Sequence, residues 1–149
     1  MRMVDKISKE ERNTKLAIQY LQHVVDGSGP YDKIAWDKAF AMVSDKYEVY
    51  VLPSSVNMPK MRLPEYRKWI EPLVEANFVA FDMNILETTA QDNRVAIEAT
   101  SSAKTKDGRT YEAEYRISFK FDDKGRITQM KEYVDSLYMM RFYGFIKEN

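Results

Sequence analysis

With 149 residues, 23 of them basic and 23 acidic, the chain is long enough for one domain with one pocket, and it carries no net charge. Neutrality leaves no electrostatic footprint for nucleic acid or for an anionic membrane surface. The lack of cysteine excludes disulfides, thiolate catalysis and cysteine metal sites, and a single histidine argues against a zinc centre.

The opening segment, MRMVDKISKEERN, is too charged for a secretory signal, and no apolar run reaches membrane-spanning length. A cytoplasmic protein is therefore expected. Ser8 and Glu11 make a capping box that predicts a helix through about Val25. Leu16, Ala17, Tyr20, Leu21 and Val24 share one face of it, so Tyr20 points inward with a hydroxyl that needs a partner. The run Asp26-Gly27-Ser28-Gly29-Pro30 ends the helix, with glycine expected in a left-handed cap. A second helix is predicted from Asp32 to Val43, with Trp36, Ala39, Phe40 and Val43 as its stripe, then a short strand from Tyr47 to Leu52. Pro53 to Arg62 reads as a loop at a pocket mouth. Pro64 opens a third helix from Glu65 to Ala76, which Pro72 should kink or shorten.

From Phe78 the apolar period changes from that of a helix to 2. Strands are predicted at Phe78 to Glu87, Arg94 to Thr105, Thr110 to Phe121 and Arg126 to Ser136, joined by turns rich in Asp, Asn and Gly. On the last strand one face carries Thr128, Met130, Glu132 and Val134. Glu132 is the anomaly, a carboxyl on an apolar face, and such a group is either solvated at an edge or part of a site. Glu98 shares a strand face with Ala96 and Thr100, while Val95, Ile97 and Ala99 form the other. Asp135, followed by Ser136, is expected to cap a short tail helix, and the aromatic tail from Leu137 to Phe145 to close the structure or pack a partner.

Helices first and strands afterwards give an α+β domain spanning residues 1–149. Three N-terminal helices pack in a strongly curved antiparallel sheet, forming a cone with one internal cavity. If the inner faces carry both carboxyls, Glu98 and Glu132 converge there beneath Tyr20, and desolvation with mutual repulsion raises the pKa of at least one. Trp36, Trp69, Tyr115, Met130 and Val134 would then wall the site or simply form core. His23, one step further round the first helix, either joins that wall or sits half-exposed without a role. Phosphate loops, nucleophile elbows and metalloprotease motifs are missing, so neither a cofactor nor a metal is expected.

The order of elements, the helix AIQYLQHVVDG and the ending DDKGRITQMKEYVDSLY resemble the SnoaL-like proteins of the nuclear transport factor 2-like superfamily. That group includes polyketide cyclases, ketosteroid isomerase, limonene epoxide hydrolase and small fungal pathway isomerases. The resemblance implies that Tyr20 stands where ketosteroid isomerase has its oxyanion tyrosine. The acids of that enzyme would fall near Tyr50 or Leu52 and at Ile117, where no acid exists. Against the epoxide hydrolases, Glu132 matches one aspartate, whereas Glu98 replaces an arginine and Thr100 the second aspartate. What remains is the cyclase and isomerase branch, with an acid on the last strand as general acid or base.

Two functions follow from different classes. One is a cofactor-free isomerase, cyclase or lyase acting on an apolar small molecule through Glu132, Glu98 and Tyr20. The other is a non-catalytic ligand-binding or dimerisation module of the same fold. The discriminating feature is whether both glutamates face an open cavity, or the cavity is filled by Trp, Tyr and Met side chains. A homodimer is expected as well, because Val95, Ile97 and Ala99, read as the convex face of the sheet, are too apolar for water.

Overall fold

The computed structural model describes residues 7–147. The charged opening from Met1 to Lys6 and the last two residues lie outside that range. Helix α1, Lys9–Asp26, starts where Ser8 accepts a hydrogen bond from the Glu11 amide, and it buries Ala17, Tyr20 and Leu21 on the expected face. Its end differs from expectation. Gly27 is right-handed (φ −88°), and glycine is required because a Cβ there would lie 2.6 Å from the Trp36 ring. The Trp36 indole donates to the Gly27 carbonyl at 2.9 Å, which ties the start of α2 to the end of α1.

Helix α2, Lys33–Phe40, is shorter than its sequence stripe suggests, because β-branched Val43 opens strand β1, Val43–Leu52, and pairs with Ile127. The following loop holds one tight helical turn, Ser54–Val56, and the two-residue strand β2, Met61–Arg62. Helix α3, Leu63–Asn77, runs through Pro72 without ending. That proline is on the exposed side, where solvent can satisfy the freed carbonyl.

Five strands follow: β3 (Phe78–Gln91), β4 (Arg94–Thr105), β5 (Thr110–Tyr111), β6 (Glu114–Phe121) and β7 (Ile127–Val134). A seven-residue helix α4, Ser136–Phe142, is the last element among the described residues, its N-terminus capped by Asp135. The sheet order is β2-β1-β7-β6-β4-β3, with β5 paired to β4. All pairings are antiparallel except β1 with β7, which run parallel, so the sheet is mixed rather than the antiparallel meander the sequence suggests. The curled sheet and α1 to α3 enclose the core, and α4 adds a fourth helix.

Register decides which side chains reach the interior. Val95, Ile97 and Ala99 are buried, at most 1% exposed, and form the concave face of β4. The convex face carries Ala96, Glu98 and Thr100 instead. The apolar outer surface on which the expected homodimer rested is therefore inside the domain, where the curled sheet needs it to cover the helices. A bulge on β7 also corrects the sequence pattern. Phe121 pairs with Ile127 and Lys120 with Gln129, so Thr128 is the extra residue. Ile127 thereby turns into the core beside Phe121, although simple alternation places it outside.

Candidate active site

Glu132 stands in the middle of the concave face. Along β7 its same-face neighbours are Met130 and Val134; across the sheet its partners are Ile117 on β6 and Val51 on β1. All four are apolar. Glu132 makes no hydrogen bond or ion pair with any described residue, and it lines an internal cavity of about 90 Å³. With nothing to stabilise the charged form, burial alone lifts its carboxyl from 4.5 to about 7.

Phenols surround this carboxyl. Tyr20 enters from α1, fully buried, its hydroxyl 2.7 Å from that of Tyr47 on β1. Burial pushes the Tyr20 phenol far up, against the opposing effect of the Tyr47 hydrogen bond. The Tyr47 hydroxyl also reaches the Met130 sulfur at 3.9 Å. Tyr66 faces the cavity from α3, and its hydroxyl has no hydrogen-bond partner among the described residues. Tyr115 on β6 meets the Ser101 hydroxyl at 3.0 Å, and that oxygen accepts from the Ala113 amide. Tyr20, Tyr66 and Tyr115 all feel the Glu132 charge, which helps hold their protons on.

The sequence-derived candidates separate into two groups. Trp36, Trp69, Tyr115, Met130 and Val134 line the same cavity as Tyr20 and Glu132. Glu98 does not. It pairs in register with Arg116, which in turn pairs with Tyr133, a row on the convex face. There Glu98 meets the Arg116 guanidinium at 3.5 Å, both side chains well exposed. The two glutamates thus lie on opposite faces of the sheet, because position 132 shares its face with Ile97 rather than with residue 98. His23 is half-exposed near the end of α1 and is not part of the lining.

Sequence reasoning missed Tyr47, Tyr66 and Tyr143. Tyr47, Val49 and Val51 alternate inward along β1, and Tyr66, Ile70 and Leu73 recur at helical spacing along α3, so both positions were readable. Tyr143 follows α4 and could not be placed without knowing where that helix docks. Its ring lies tilted against that of Tyr111, centroids 5.6 Å apart, while Arg109 donates to the Phe142 carbonyl at 2.8 Å and covers the Phe142 ring. These contacts fasten the tail beside Tyr111 and Arg109, and its Met139 and Tyr143 line the cavity.

Among the described residues no group of three or more His, Asp or Glu side chains is arranged to hold a metal ion, and no helix is long and apolar enough to cross a membrane. No family model matches the sequence, and no curated protein sequence matches it. Solved structures do match. The chain is similar to BvnE pinacolase from Penicillium brevicompactum, with TM-score 0.79, 18% identity, and coverage of 95% of this chain and 94% of that one. It is similar also to PrhC from Penicillium brasilianum, with TM-score 0.78, 18% identity, and coverage of 92% and 89%. A protein from Jannaschia provisionally described as a SnoaL-like polyketide cyclase gives TM-score 0.67 at 13% identity, over 93% and 95%. At such identities the likeness establishes architecture and not chemistry. The chain has the cone fold that SnoaL-like and nuclear transport factor 2-like proteins share.

Proposed function

We propose that the protein is a cofactor-independent isomerase or cyclase of a small, largely apolar molecule, with Glu132 as general acid and base and Tyr20 as hydrogen-bond donor. The observation that carries this is a single unpartnered carboxyl, aimed into an apolar cavity, that titrates near neutral pH. A group with that pKa is present in both forms at pH 7, which is what proton shuttling between two positions of one substrate needs. In the charged form Glu132 takes a proton from a carbon next to a carbonyl; Tyr20 donates to the carbonyl oxygen as charge develops there. The proton then returns at a second position, and the substrate leaves isomerised with no net change in oxidation. The Tyr47 hydroxyl, 2.7 Å away, holds the Tyr20 hydroxyl in place for this task.

The pinacolase and the cyclase-like neighbour are consistent with this class of chemistry on the same fold. The loss of Glu98 from the site means that one carboxyl must serve as both acid and base. The small cavity favours the competing reading, a non-catalytic module, since ligand pockets usually measure roughly 300 to 1,000 Å³. Exchange of α-protons of cyclopentanone for deuterium separates the two. A catalytic Glu132 accelerates exchange, and Glu132→Gln lowers the protein-dependent rate by about 10²- to 10⁴-fold. Exchange no faster than in buffer, or untouched by that substitution, would overturn the catalytic reading.

A further inference from the structure

Among the described residues, Glu132 is the one formally charged side chain in the cavity lining. No lysine, arginine or histidine among the described residues lines the cavity, so its ionised form has no cationic partner there. A neutral ligand leaves that imbalance in place, and an anionic ligand worsens it. The rest of the wall is rich in aromatic rings, including Tyr20, Trp36, Tyr66, Trp69, Tyr115 and Tyr143. Ring faces carry partial negative charge and attract cations, most strongly where water is excluded.

We propose that the cavity binds a small organic cation, a quaternary or protonated amine, with Glu132 as its counter-ion and the aromatic walls as its cage. A compact ammonium head suits a space of about 90 Å³ better than a fused-ring ligand does. The substrate of the proposed reaction is then a molecule with an amine beside the position that reacts. This inference rests on the same orientation of Glu132 as the catalytic reading, but it concerns binding rather than proton transfer.

Affinity should also follow one ionisation. The titratable groups whose charges reach Glu132 are Tyr20, Tyr47, Tyr66, Tyr111, Tyr115 and Tyr143, from α1, β1, α3, β5, β6 and the turn after α4. Burial raises all six phenols above their ordinary value, so they stay neutral while Glu132 changes charge.

The test is calorimetric titration of the full chain with choline and with its neutral carbon isostere, dimethylbutanol. At about pH 8, choline should bind roughly ten-fold tighter than the isostere. That preference should shrink in Glu132→Gln and in wild type at about pH 5.5, where the carboxyl is protonated, and survive Glu98→Gln. Choline binding no tighter than the isostere, a preference unchanged in Glu132→Gln, or no binding at millimolar concentration overturns the proposal. Loss of cyclopentanone exchange in Glu132→Gln without any choline preference would cancel this inference and leave the catalytic one standing; the reverse pattern would cancel the catalytic one.

Discussion

Replacing Glu132 with glutamine should stabilise the protein above neutral pH and change little in acid. The unfolded carboxyl titrates near 4.5 and the folded one near 7. Between those values the folded state holds the extra proton, so stability falls as pH rises through the interval and then levels off. Every tenfold difference in proton affinity between the two states is worth about 1.4 kcal/mol, so the total loss is about 3 kcal/mol. Glutamine keeps the shape of the protonated acid and has no charge to bury, so it escapes that loss. For a domain of this size the difference corresponds to a melting temperature roughly 6 to 12 °C higher at about pH 8, with near-equality at about pH 4. Thermal melting of both proteins across that range is the assay. A variant that melts lower than wild type at pH 8 would refute the reasoning, because it would mean that Glu132 is one half of a stabilising ion pair.

Other substitutions test the rest of the arrangement. Glu98→Gln should change stability by less than about 0.5 kcal/mol and leave proton exchange intact, since its ion pair with Arg116 is exposed; chemical denaturation and the exchange assay check both. Tyr20→Phe and Tyr47→Phe should each destabilise, and a double-mutant cycle should give a coupling of about 1 kcal/mol from their shared hydrogen bond. Glu71 tests the helical wall. Burial pushes its carboxyl up, but hydrogen bonds from Arg67 (2.5 Å) and Tyr31 (2.6 Å) outweigh that and hold it below its ordinary value. Its contribution is therefore complete above about pH 4.5 and is lost as pH falls through the lowered folded value. Glu71→Gln should cost about 2 kcal/mol at neutral pH, less than a fully buried pair, because Arg67 keeps Asp37 at 2.6 Å; urea denaturation at pH 7 and in acid would show the cost and its decline.

Much of the fold was legible because its signals are local. The Ser8 cap, the α1 stripe and the Asp and Gly turns of the hairpins depend on neighbours within a few residues. The parallel pairing of β1 with β7 was not legible, since it joins segments some 80 residues apart that carry no mark of direction. The site shows the same division. Glu132 stood out as an acid between Met130 and Val134, a contrast contained in one strand. Glu98 could not be judged that way. Both faces of β4 hold small or apolar residues, so alternation alone does not say which is concave, and only pairing Ile97 with Ile117 and Ile117 with Glu132 settles it. Tyr47 was readable as inward, but its hydrogen bond to Tyr20 depends on how α1 docks across the sheet.

Both the proposed chemistry and the proposed cation binding depend on the ionisation of one carboxyl. Carbon-13 labelling of the glutamate side chains, with the Glu132 signal assigned by its loss in Glu132→Gln, allows that ionisation to be followed by NMR. A midpoint near 7 is expected for Glu132. A midpoint near 4.5, the ordinary value of a solvated glutamate, would contradict both.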